Sequence, residues 1–173
     1  MIRVVFTVAL TVALLGAALP AIEAGSVERT AIRLDATAED IERTARTLVA
    51  DEDPSSPGTS GARRLVRFRL PADGWADAPV SYFAVGGHPN GTGDESVVAY
   101  RIEGRPARTV RLPGLDLRTP DGPVVFRGAG RHRLVLSLVR DRGVAVVARR
   151  ATDAGPVDAS GPADASGDSN TGR

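Results

Sequence analysis

Residues 30–50 read "TAIRLDATAEDIERTARTLVA" and divide into three heptads, "TAIRLDA", "TAEDIER" and "TARTLVA". Val27, Ala31, Leu34, Ala38, Ile41, Ala45 and Leu48 fall at alternating spacings of four and three. Residues so spaced share one face of a helix, so the stretch predicts an amphipathic helix over 26–50 with a packing seam. Ala31, Ala38 and Ala45 occupy one heptad position and larger aliphatics the other, which lets a partner approach closely. Asp35, Glu39, Asp40 and Glu42 lie off the seam with Arg33, Arg43 and Arg46, some at ion-pairing spacings of three or four. Three heptads suit a helix lying on its own domain as well as a short coiled coil.

Upstream, residues 5–25 read "VFTVALTVALLGAALPAIEAG", and residues 4–22 carry no charge. As a helix those nineteen positions would extend about 28 Å, close to the ~30 Å hydrocarbon core of a bilayer. Residues 1–25 are therefore read as a transmembrane anchor, with Val4, Leu10, Leu14, Leu15, Leu19 and Ile22 as membrane-anchor positions, or as a signal peptide. The second reading has Arg3 as its basic flank, an apolar core, and Ala24 as a plausible cleavage point. Pro20 and Gly25 alone separate this run from the heptads, so one helix kinked at Pro20 is the expected continuation. Arg3 and the amino terminus form the basic flank, while Glu23 and Glu28 accompany Arg29 on the other side. The positive-inside rule then predicts a single-pass protein with a cytoplasmic N-terminus and an extracellular head, or a secreted protein if the run is cleaved.

Downstream, "DEDPSSPGTSG", residues 51–61, combines acids, Pro, Gly and hydroxyl residues and reads as a linker. Residues 62–150 hold the folded head. "RRLVRFRL" alternates, with Val66, Phe68 and Leu70 on one face and Arg67 and Arg69 on the other, as a half-buried strand does. "APVSYFAVGG", "SVVAYRIEG", "ARTVRLPG" and "GPVVFRG" follow as short apolar runs between turn residues, and "RHRLVLSLV", "RDRG", "VAVVARR" form a hairpin. Some seven short strands argue for an antiparallel β-sandwich-like or strongly twisted-sheet head. Leu134, Leu136 and Leu138 face one way and Val135 and Val139 the other, so this strand is expected to be covered on both sides. Residues 151–173 contain "DASG" twice and one large apolar residue, Val157, and read as a disordered acidic tail. The fold class expected is thus α+β: an N-terminal membrane-spanning and amphipathic helix, a β head and a tail.

Charge is uneven along this plan. Of the 173 residues, 22 are basic and 21 acidic, for a net charge of +1, and every basic residue is Arg. Residues 1–53 carry −4, residues 62–150 carry +8, and residues 151–173 carry −3. The acidic helix and the basic head are expected to attract one another, an effect that salt screens. The Arg residues read as spread over every strand, and Phe68, Trp75, Tyr82, Phe83, Tyr100 and Phe126 supply the aromatics, so no nucleic-acid partner is expected.

Catalytic and cofactor signatures are absent from the sequence. Without cysteine there is no thiol nucleophile, disulfide or zinc–thiolate set. His88 lies in the loop "GGHPNGTGD" and His132 begins a strand; neither has a second His or a carboxylate at helical spacing, so no metal site is expected. No "GxSxG", phosphate loop or dinucleotide fingerprint occurs, so no enzyme activity and no cofactor are expected. Asn90-Gly91-Thr92 is a glycosylation acceptor pattern, which makes Asn90 a candidate only if the head is exported.

The run "MIRVVFTVALTVALLGAALPAIEAG", the heptads behind it and the β-rich head look like the lollipop plan of type IV pilin-like proteins. More narrowly, residues 1–150 resemble small haloarchaeal pilin-like or pseudopilin-like proteins encoded beside type II/IV secretion ATPases, through the "ALPA" ending of the apolar run and the terminal hairpin "LVLSLVRDRGVAVVARR". The resemblance implies a structural or accessory role at the cell envelope, with other pilin-like or secretion-system proteins and the membrane as partners. The alternative is a cleaved, secreted β domain whose arginine-bearing strands bind an anionic envelope glycan or polymer.

Overall fold

The computed structural model describes residues 2–56, 61–74, 76–140 and 142–151; within the helix, the side chains of residues 2, 15 and 17–23 lie outside the described set. One helix, α1 (Ile2–Asp51), runs unbroken through Pro20 and Gly25. Eight strands follow: β1 (Arg63–Leu70), β2 (Val80–Val85), β3 (Val97–Ile102), β4 (Arg108–Arg111), β5 (Leu117–Arg118), β6 (Val124–Phe126), β7 (Gly130–Arg140) and β8 (Val144–Arg150). They form two four-stranded sheets, one ordered β1-β7-β8-β5 and the other β4-β3-β2-β6.

The C-terminal half of α1 contacts β1, β7 and β8 of the first sheet and β3 of the second. Its heptad residues Ala31, Leu34, Ala38, Ile41, Ala45 and Leu48 are all buried, and Val27 packs against them at the edge of the core. Alternation supplies the opposing surface: Val66 and Leu70 from β1, Leu134, Leu136 and Leu138 from β7, and Val146 and Ala148 from β8 point inward. Full burial of a Leu or Ile side chain stabilises by about 1.5–3 kcal/mol, so this layer holds the helix to the head. Where the helix no longer fills the space, aromatic rings join the two sheets. Phe68 of β1 lies 5.2 Å from Phe83 of β2 and 5.0 Å, edge-on, from Phe126 of β6.

The membrane-spanning part of the expected fold class is corrected. Among the described residues no helix is long and apolar enough to cross a membrane. The single-pass localisation inferred from that span is corrected with it. Leu15, Leu19 and Ile22, also named as anchor positions, have side chains outside the described set.

Two further expectations change in detail. The head is not wholly antiparallel, because the two-residue β5 runs parallel to β8 through Leu117↔Val146 and Arg118↔Val147. Strand β7 is deeply covered on one side only: Val135 and Val139 are half-buried whereas Leu134, Leu136 and Leu138 are buried. Part of the linker is pinned, since Ser55 bridges to Val139 and accepts a hydrogen bond at its carbonyl from the Arg140 N–H (2.8 Å). Residues 57–60 and the tail from 152 onward, where disorder is expected, lie outside the described residues.

Candidate functional site: the helix beyond the head

The helix leaves the head at a clamp built around Thr30. Its hydroxyl donates to the Ala78 carbonyl (3.3 Å) and accepts from the Ala78 N–H (3.0 Å), and the Thr30 side chain is fully buried. Arg33 pairs with Asp77 at 2.6 Å, and Arg29 Nε donates to the Ala76 carbonyl (3.0 Å). One turn of α1 is thereby tied three times to the segment that enters β2. Nothing in the heptad pattern marks Thr30; the signal that finds it is a hydroxyl residue beside the seam, buried where an apolar residue would leave the Ala78 backbone unsatisfied.

On the other side of α1, Tyr100 of β3 donates its hydroxyl to Asp35 Oδ1 (2.6 Å), with Arg108 of β4 placed 3.5 Å from the same hydroxyl and 3.9 Å from Asp35 Oδ2. Burial of the ring, reinforced by the Asp35 hydrogen bond, pushes the Tyr100 pKa above its ordinary value of 10.0, so the phenol stays protonated. Beside this group lies an open groove of about 360 Å³, floored by Ala24, Val27, Ala31 and Ile102. Glu28 and Arg105 stand at its rim. Two ion pairs have the polarity of an acidic N-terminal part meeting a basic head, Asp35–Arg108 and Glu52–Arg64 (2.9 Å), whereas Arg33–Asp77 has the opposite polarity.

Farther toward the N-terminus, the helix meets water on every side over residues 4–14. Val4, Val5, Phe6, Val8, Leu10, Val12 and Leu14 are 58–74 % exposed. Val4, Val5 and Phe6 are consecutive, so at about 100° per residue they point in three directions around the helix. Thr7 and Thr11 return their hydroxyls to the carbonyls of Arg3 (2.9 Å) and Thr7 (2.8 Å), which leaves no polar stripe directed outward. On the same spacing of four and three that runs through Val27 and Ala31, the sequence places Ala24, Pro20, Ala17, Ala13, Leu10 and Phe6, so an apolar column extends toward the N-terminus.

The other sequence candidates are dispersed. His88 has both ring nitrogens engaged, with Tyr82 (3.4 Å) and Thr109 (3.3 Å), while His132 Nε2 donates to the Gly128 carbonyl (3.0 Å) and its ring stacks into the Phe68–Phe126 group. Among the described residues no group of His, Cys, Asp or Glu could hold a metal ion. Asn90 is exposed in a turn closed by a hydrogen bond from the Gly91 N–H to the His88 carbonyl (2.8 Å). The loop around it is anchored by Thr119, which is buried and bonds twice to the Gly93 carbonyl. Gly86 (φ 90°) and Gly93 (φ 87°) permit this approach: a Cβ at either would lie within 2.5 Å of Thr119 atoms.

The arginines are not evenly spread, contrary to the sequence reading. Strand register places Arg67 opposite Arg133 and Arg69 opposite Arg131 on the outward face of the first sheet, and Arg149 and Arg63 stand on that same face. This clustering depends on pairing between strands far apart in the chain, which a reading along the chain does not reveal.

The family model for a domain of unknown function, DUF7311, matches residues 1–151. The chain belongs to this family. The match takes in the exposed helix, the clamp and both sheets, and ends one residue beyond β8. No curated protein and no solved structure matches the chain.

Proposed function

We propose that this DUF7311 protein is a structural, pilin-like accessory subunit, of the kind found in type IV pilus-like or type II/IV secretion assemblies. In this reading the N-terminal half of α1 packs among the equivalent helices of neighbouring subunits and presents the β head outward. The observation that carries it is the exposure of seven large apolar side chains around the whole circumference of a helix whose other half is firmly docked. A helix apolar all round is stable only when it is surrounded.

The magnitudes favour several neighbours over one. With Gly16 and Pro20 in its sequence, this segment is weakened as an isolated helix. Burying all seven side chains would contribute roughly 10–20 kcal/mol, against an association cost of about 4–15 kcal/mol per step. One partner covers a single face, and only a bundle covers them all.

The absence of cysteine gives a clean test. Leu10 and Ile32 are similarly exposed, at 61 % and 59 %, but only Leu10 lies beyond the head. A Leu10→Cys variant of the full chain should form covalent dimers with a short bis-maleimide at low protein concentration, and Ile32→Cys should not. Equal cross-linking at both sites, or none at either, contradicts the proposal.

A further inference from the structure

We infer that the outward face of the sheet β1-β7-β8-β5 is a docking surface for an acidic polysaccharide, held through arginine forks. This inference is independent of how the N-terminal helix assembles.

Residues directly opposite in an antiparallel pair point to the same side, so the register fixes the composition of the face. Arg63, Arg67 and Arg69 of β1, Arg131 and Arg133 of β7, and Arg149 of β8 all stand on it, and all six are exposed. No acidic residue occupies an outward position of these three strands. Among the described residues Arg63, Arg67, Arg69, Arg131 and Arg149 take part in none of the ion pairs, which elsewhere engage Arg33, Arg43, Arg46, Arg64, Arg108 and Arg118. Like charges placed directly opposite on neighbouring strands destabilise a sheet. Here that happens twice, at Arg67↔Arg133 and Arg69↔Arg131, and a shallow depression of about 550 Å³ opens there, lined by those four arginines together with Phe68 and His132.

The pattern selects the ligand. Neighbouring strands lie about 4.8 Å apart and outward residues about 6.8 Å apart along a strand, so the guanidinium groups are rooted in a flat grid. Each fork pairs with a carboxylate in bidentate fashion, so a chain that repeats carboxylates can engage several forks at once. Single-stranded nucleic acid is instead gripped by aromatic platforms as well as charge. No aromatic side chain stands at an outward position of β1, β7 or β8; Phe68 and His132 line the depression, but they belong to the inward-facing set and their rings are taken up by packing with each other and with Phe83 and Phe126.

The test measures binding of the full chain to polygalacturonate, with neutral dextran and a single-stranded oligodeoxynucleotide as comparisons. Wild type should bind polygalacturonate in a salt-sensitive manner and ignore dextran. The triple variant Arg67→Ser, Arg69→Ser, Arg131→Ser should lose about tenfold or more in affinity, whereas Arg105→Ser, Arg111→Ser, Arg127→Ser, which removes equal charge elsewhere, should stay within about twofold. The corresponding Arg67→Lys, Arg69→Lys, Arg131→Lys variant keeps the charge without the fork and should fall between them, which separates ligand loss from misfolding. Equal loss in the two serine triples, absence of binding, or tighter binding of the oligonucleotide overturns the inference. So does binding that emerges only when Asp153, Asp158, Asp164 and Asp168 are changed to Asn, for then the occupant of the face is the chain's own acidic tail.

Discussion

Thr30 and Ala78 hold each other twice: the threonine hydroxyl donates to the Ala78 carbonyl and accepts from the Ala78 N–H, at 3.3 Å and 3.0 Å. The two residues come from the helix and from the segment leading into β2, so this pair fastens the helix to the head near the point where it leaves. Replacing Thr30 with Val keeps the shape and removes both bonds, leaving two buried backbone groups unsatisfied. The expected loss is about 1–3 kcal/mol in urea unfolding, and Thr30→Ser should recover most of it.

Tyr100 couples stability to alkaline pH. Its pKa is raised in the folded chain, first by burial and then by the hydrogen bond to Asp35, so the protonated phenol is the form the fold favours. That contribution is fully present below the unfolded value near 10.0 and is lost as pH rises through the higher folded value. Wild type should therefore lose stability above about pH 10 more steeply than Tyr100→Phe, as thermal melts across pH 7–11 will register.

Close approach along the alanine positions makes the seam sensitive in both directions. Ala38 is fully buried, so Ala38→Leu has no space to enter and should cost about 1–3 kcal/mol through displaced neighbours. Leu34→Ala opens a cavity in the same layer and should cost about 2–5 kcal/mol. Calorimetry on both variants tests whether the helix is an integral part of the core. Wild-type melting behaviour in either would contradict that.

Arg67 faces Arg133 across the β1–β7 ladder. Arg67→Thr removes a like-charge pair and supplies a β-branched residue, so it should stabilise the head by about 0.2–1 kcal/mol. The gain should shrink in high salt, where screening already weakens the repulsion.

How much of this was legible along the chain depended on the range of the interaction. The seam from Val27 to Leu48 could be read because helical periodicity is local, and alternation in β1 and β7 showed which residues face inward. The two-residue β5 left no such trace, because its place beside β8 comes from a parallel pairing made from a loop. The arginine face was invisible for a related reason: Arg67 and Arg133 are neighbours only through register. Thr30 was missed because it sits beside the apolar column and acts through one hydroxyl. The uncharged run read as a membrane span on length and hydropathy, but among the described residues no helix meets those two conditions together.

Sedimentation velocity on the full chain, compared with a Phe6→Glu, Leu10→Glu variant, shows whether the exposed N-terminal half of α1 drives assembly. Both substitutions lie beyond the clamp, where no head contact is disturbed. Wild type should sediment as multimers whose size grows with concentration, while the double variant should remain monomeric and still unfold cooperatively, which shows its head intact. A wild-type chain that stays monomeric across the concentration range, or a variant that assembles equally well, would contradict the proposed assembly.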